Sequence, residues 1–265
     1  KVDTKFYQII FLRYRYNMKK IILILFPILV FSQSGRDIAE MIDNRPAPDD
    51  LINQTVMILT NSKGTTRTHK MISKSKNGSE KQIIWFMEPK DDRGIAFLKI
   101  EHENRDDEMR MWLPAFKKVR RISSKKKSDS FMGSDLSFED LSNRRLNGND
   151  YKRLEDAKWL GRDCYVLETV PKKESKSNYV RHVSWIDKNH INILKEQSFN
   201  KKNKLEKEKH FSYETRGEYQ LIKKVKVENL LKKHATEITF SDIVINSGIS
   251  DKLFQEMSLR RLPLD

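Results

Sequence analysis

The sequence predicts a mainly β protein with few helices, built as a large curved antiparallel sheet with one face closed over. Three observations predict it. Extended segments of alternating apolar and polar residues recur at short spacing, turn signals separate nearly all of them, and helical periodicity is confined to short stretches.

Taken in order, "GRDIAEMIDN" (35–44) reads as a short N-terminal helix. "INQTVMILT" (52–60) ends at Asn61-Ser62-Lys63-Gly64, and "TTRTHKMIS" (65–73) leads to Asn77-Gly78, a strong hairpin signal. "EKQIIWFME" (80–88) ends at Pro89; "GIAFLKIE" (94–101) and "EMRMWLP" (108–114) flank a polar turn at 104–107. Six more strands follow: "DCYVLETV" (163–170), "YVRHVSWID" (179–187), "INILKEQSF" (191–199), "LEKEKHFSY" (205–213), "LIKKVKVEN" (221–229) and "TEITFSDIVI" (236–245). "SDLSFEDL" (134–141) suits a turn or two of helix, and "SDKLFQEMSL" (250–259) a last helix capped by Ser250 or Asp251.

The alternation carries further detail. Val225 and Val227 face one way while Lys224, Lys226 and Glu228 face the other, and Val183 with Trp185 and Phe211 with Tyr213 repeat the pattern, so one sheet face is buried and one is wet. "IIWFM" is apolar on both parities, which predicts a strand covered on both sides.

Met18, Lys19-Lys20, the apolar run Ile21 to Phe31 and Ser32-Gln33-Ser34 have the order of a secretory signal peptide, cleaved near Ser32. Residues 1–17 read as upstream sequence or a mis-set start, 18–32 as the signal and 33–265 as a single exported domain. No Cys stands at the cleavage point, so a lipid-anchored N-terminus is not expected. The chain is basic, with a formal net charge of +15, and its single Cys164 excludes the disulfide-stapled class of secreted proteins. Past the leader, no apolar run is long enough for a transmembrane helix.

Catalytic motifs are absent. His69, His102, His182, His190, His210 and His234 stand singly, with no H-E-x-x-H, C-x-x-C, G-x-S-x-G or phosphate-cradling glycine loop. "NRDDE" (104–108) lacks the central Gly and terminal Glu of a calcium loop and reads as a solvated hairpin turn. Cys164, without a neighbouring His, reads as a packed thiol. No enzyme, cofactor or metal is expected. The basic runs "FKKVRRISSKKK" and "PKKESK" would suit phosphates, but the later Lys residues alternate with Glu, as on a solvated strand face, and an exported protein rarely meets nucleic acid. Crowding of Lys and Glu on both parities of "KKNKLEKEKH" argues against a membrane-spanning β-barrel.

Three segments then stand out: "MWLPAFKKVRRIS", "SDSFMGSDLSFEDL" and "YVLETVPK". Together they resemble the LolA-like outer-membrane lipoprotein-sorting protein family, in the branch of a treponemal phospholipid-binding lipoprotein, over roughly Ile38 to Leu262. The resemblance implies an incomplete antiparallel β-barrel closed by a helical lid, with a cavity for acyl chains, and a periplasmic carrier exchanging cargo between an inner-membrane transporter and an outer-membrane acceptor. It also makes Phe116 to Ile122 a strand, although its apolar residues at spacing three suit a helix. An acyl chain of about 16 carbons costs roughly 12 kcal/mol to hold in water at about 0.8 kcal/mol per CH₂, so a soluble shuttle needs an enclosed apolar cavity.

On that reading Trp85, Phe97, Trp112 and Phe116 are candidate wall residues, and Phe131, Met132, Leu136 and Phe138 candidate lid residues; ordinary core packing is the competing reading for each. Lys117, Lys118, Arg120 and Arg121 are candidates for lipid headgroups or an anionic partner, or for protecting an edge strand. The alternative function is a non-enzymatic envelope recognition or sensor module that acts with a membrane transporter.

Overall fold

The computed structural model describes residues 33–263. The expected signal peptide at 18–32 and the segment 1–17 lie outside the described residues.

A helix, α1 (Gly35–Asp43), precedes fourteen strands: β1 (Asp50–Thr60), β2 (Thr66–Lys76), β3 (Lys81–Glu88), β4 (Ala96–Ile100), β5 (Glu108–Leu113), β6 (Lys118–Arg121), β7 (Asn149–Arg153), β8 (Ala157–Trp159), β9 (Arg162–Pro171), β10 (Tyr179–Asp187), β11 (Ile193–Asn200), β12 (Leu205–Arg216), β13 (Tyr219–Asn229) and β14 (His234–Ile245). All pair antiparallel in one sheet, ordered β6-β5-β4-β3-β2-β1-β14-β13-β12-β11-β10-β9-β7, with β8 added on β9. β6 and β7 end the order without pairing to each other, so the sheet is an unclosed barrel.

This order has a consequence for the chain path. The chain starts in the middle of the sheet at β1, steps outward to the edge β6, and must then reach the opposite edge at β7 before stepping back to β14 beside β1. Residues 122–148 make that crossing over one face, here called the inner face. The long connection is therefore the segment that covers the sheet.

All eleven strands expected from sequence are present, several with longer ends. Residues 118–121 form strand rather than helix. The short β7 and β8 had too little alternation to be legible. In β3 both parities are buried, as "IIWFM" implied: Ile84 and Phe86 enter the inner-face core, while Ile83 and Trp85 pack on the outer face beneath Phe254 and Leu259 of the C-terminal segment. The α1 helix is opened by a reciprocal Ser34–Asp37 capping box, and its Ile38 and Ala39 pack on Leu167 and Ile186.

Helix is scarcer than expected. The crossing segment holds only 3₁₀ turns, at Ser124–Lys126, Glu139–Leu141 and Leu146–Gly148. In "SDLSFEDL" the Ser137 backbone N–H and hydroxyl both donate to the Asp140 carboxylate, which starts a turn. The turn stops because Lys99 takes the Leu141 carbonyl oxygen at 2.8 Å and Ser142 is extended. The lid is thus a turn-rich strap rather than helical. At the C-terminus two 3₁₀ turns, Asp251–Leu253 and Glu256–Arg260, replace the expected helix, with Ser250 as the cap.

Candidate functional site

The inner face of β1–β5, β13 and β14 is apolar and rich in methionine. Met57, Met71, Met109 and Met111 are buried there with Leu59, Ile84, Phe86, Phe97, Val225, Val227 and Ile238. Unbranched, polarizable methionine side chains adapt to irregular surfaces better than branched ones do. Over this floor the strap inserts Phe131 and Phe138, which lie 5.3 and 5.7 Å from the Phe97 ring and 5.8 Å from each other, and packs Met132, Leu136 and Leu141 against it. The strap folds back on itself there. Phe131 N–H donates to the Leu136 carbonyl, Met132 and Gly133 turn through φ of 51° and 79°, and the Ser130 hydroxyl donates to the Ser134 carbonyl. Beside this loop lies a cleft of about 230 Å³ lined by Met111, Ile122, Ser130, Met132, Gly133 and Phe138, with Arg120 and Asp129 also on its wall. Its volume is below the roughly 300–1,000 Å³ usual for small-molecule sites, because the strap's own aromatic rings fill the adjoining space.

Farther along the same face the character changes to ionic. The Asp140 carboxylate accepts from Lys207 at 2.8 Å, Lys209 at 2.6 Å and the Tyr179 hydroxyl at 2.9 Å. Glu196 accepts from Arg144 through both oxygens at 2.6 and 2.7 Å and from Lys209 at 3.2 Å. Burial alone would raise both carboxyls, but Lys209 and Lys207 hold Asp140, and Arg144 and Lys209 hold Glu196, well below the usual range. His182, 2.9 Å from the Ser198 hydroxyl, is pushed down to about 3 by burial and then by Arg144. Asp135 and Leu141 add further ties: Asp135 to Thr236 and His234, and the Leu141 carbonyl to the fully buried Lys99. The polar half of the strap is therefore fastened by charge, and the apolar half by burial.

This corrects one reading of the sequence. Lys207 and Lys209 of "KKNKLEKEKH" are buried on the inner face, not on a solvated one, because the strap brings Asp140 down onto them.

The candidate residues divide. Phe97, Phe131, Met132, Leu136 and Phe138 come together at the inner face. Trp85 and Trp112 do not: their parity sends them to the outer face, where Trp85 Nε1 donates to the Ser258 carbonyl at 3.3 Å and Arg260 lies over Trp112. Phe116 is on no wall; it stands in the β5–β6 turn, 76% exposed. Lys117, Lys118, Arg120 and Arg121 are exposed at the β6 edge. Cys164 is buried, and burial raises its thiol. Asp106 and Asp107, of the calcium-like loop, are engaged by Ser124, and by Lys127 and Arg145. Among the described residues, Glu208, His210 and Glu228 could approach a metal ion, but Lys195 at 2.9 Å from Glu208 and Lys226 at 2.5 Å from Glu228 already compensate these carboxylates.

An open antiparallel half-barrel with an apolar inner face and a covering strap defines a carrier-like fold. Comparison with solved structures agrees. A protein domain assigned to outer membrane lipoprotein sorting from Vibrio parahaemolyticus superposes with a TM-score of 0.81 at 32% identity, over 86% of this chain and 98% of its own. A DUF1329 family protein from Desulfovibrio piger gives 0.81 at 32% identity over 85% and 97%. A LolA superfamily protein from Nitrosomonas europaea shares the fold at 18% identity, with a TM-score of 0.69 over 86% and 100%. A family model described only as an uncharacterized-protein-like family matches residues 78–261, and no curated protein matches. The chain belongs to the family of the outer-membrane lipoprotein-sorting protein domain, and it shares its fold with the LolA superfamily protein.

Proposed function

We propose that this protein is a periplasmic carrier that holds the acyl chains of lipoproteins or phospholipids between the inner face and the strap. The observation that carries the reading is the methionine-rich floor beneath a strap whose Phe131, Met132 and Phe138 reach into it beside an existing cleft. The cleft as it stands is the closed state. Withdrawing the Phe131 and Phe138 rings would add their volume to it and expose a floor on which an acyl chain replaces them, methylene for ring. The ionic ties at Asp140 and Arg144 keep the far half of the strap in place while the near half moves. No step of this function calls for bond making or breaking. Cargo would pass from an inner-membrane transporter to an outer-membrane acceptor, which fits the name carried by the Vibrio relative.

The test is uptake of a fluorescent fatty-acid probe by the detergent-free protein. Saturable uptake with an emission shift to the blue is expected. Absence of uptake would overturn the carrier reading in favour of an envelope recognition module.

A further inference from the structure

The β5–β6 hairpin carries features that the cleft does not use. Its turn, Pro114 to Lys117, is fixed: Lys117 N–H donates to the Pro114 carbonyl at 3.0 Å, and Lys117 sits at φ 49°. On this fixed turn Ala115, Phe116, Lys117 and Lys118 are all exposed, and Phe116 is 76% exposed. One exposed apolar residue is ordinary in any soluble protein and would carry nothing alone. Cations without an ion pair also stand elsewhere on the surface, as at Lys201, Lys202, Lys232 and Lys233, but this hairpin and the turn after it gather six of them within residues 117–126. Lys117, Lys118, Arg120, Arg121, Lys125 and Lys126 make no ion pair among the described residues, whereas neighbouring Arg110, Lys127 and Arg145 are all paired to carboxylates. Arg120 and Ile122, the residues that leave this hairpin, also line the cleft.

We propose that the β5–β6 hairpin is a membrane-docking tip: Phe116 enters the interfacial layer of an anionic phospholipid membrane while the unpaired cations meet its headgroups, bringing the cleft mouth to the bilayer. A membrane fits this surface better than a folded protein does. A protruding aromatic ring ringed by flexible cations offers no flat apolar face for a protein interface, but matches the layered polarity of a bilayer surface. Docking is reversible by design of the charge count: a single ring and several cations give peripheral, salt-sensitive attachment. The inference deepens the carrier reading by naming where the carrier meets its lipid source, and it is tested apart from it.

The full chain is sedimented with vesicles of phosphatidylcholine alone or with a large fraction of phosphatidylglycerol. Binding to the anionic vesicles only, declining with added salt, is expected. Lys117→Gln with Lys118→Gln should weaken it about fivefold per charge, and Phe116→Ala should weaken it further. Phe116→Trp should blue-shift on anionic vesicles and not on neutral ones. The same variants, none of which lines the cleft, should take up the fatty-acid probe like the parent. Indifference to lipid charge, or full binding by both the Phe116→Ala and the Lys117/Lys118 variants, would overturn docking and leave the cations as edge-strand protection. A protein that takes up no probe yet still binds anionic vesicles in this way would overturn the carrier reading alone.

Discussion

Met132 combines the two properties that a probe of the cleft requires. It lines the cleft wall, and its φ of 51° is a backbone conformation that Asp tolerates comparatively well. Met132→Asp should therefore place a carboxylate in the cleft and lower fatty-acid uptake about tenfold, with the thermal transition shifted by only a few degrees; circular dichroism and probe titration on the same sample check both. Phe131 behaves differently, because it is 3% exposed and its ring meets Phe86, Phe97 and Phe138. Phe131→Ala should cost about 3–5 kcal/mol of stability, measured by denaturant unfolding, while enlarging the space available to a ligand. Which side chains meet at the inner face was partly legible. Phe131 and Met132 stood out because "SFMGSD" places them beside a Gly outside any clear strand. Trp85 was misplaced because an apolar strand buried on both faces does not say which parity meets the strap, and Trp112 because alternation in a half-buried strand does not say on which side of the sheet the strap lies. Met109 and Met111 of the floor were missed for a related reason: "EMRMW" alternates as any half-buried strand does, and nothing local distinguishes the strap side of the sheet from the other.

At the scale of elements, the strap is two devices in one segment. Its Asp140 is set among the buried Lys207 and Lys209, where removing the carboxylate strands the lysines without solvent, while its partly exposed Arg144 covers the buried Glu196. Asp140→Asn should cost about 3–5 kcal/mol, read as a lower denaturant midpoint. Acid acts on the same ties. His182 holds no proton until about pH 3 in the folded chain, against 6.5 ordinarily, so below the ordinary value the unfolded chain binds a proton that the folded chain refuses. Stability should be full above about pH 6.5 and decline as pH falls toward 3. The depressed Asp140 and Glu196 carboxyls add a second loss that begins only below their ordinary values of 3.8 and 4.5. Thermal melts from pH 8 to 4 check the window, and His182→Asn should make the part above pH 4.5 shallower, with the buried His69, also held below its ordinary value by burial, supplying the slope that remains. The strands were readable because alternation is local, as in β13, where Val225 and Val227 are buried and Lys226 is exposed. The buried Lys207 and Lys209 were not, because a lysine alternating with glutamate looks solvated until a distant Asp140 covers it.

Across the whole molecule, topology sets the architecture of the site. A sheet that grows outward to β6 and resumes at the opposite edge β7 requires a long crossing, and the crossing becomes the cover of the inner face. The half-barrel, its antiparallel pairing and its family followed from the strand pattern and three short motifs. The order of strands, and hence the strap's path, depended on pairings between distant segments, such as β1 with β14, that no single stretch of sequence displays. In the proposed function the floor beneath the strap holds acyl chains. Native mass spectrometry of the protein, exported to a bacterial periplasm and purified without detergent, tests it most directly. Mass increments matching phospholipid or lipoprotein acyl species, diminished in Met132→Asp, are predicted; a single unliganded mass in the parent protein, unchanged after incubation with phospholipid vesicles, would contradict it.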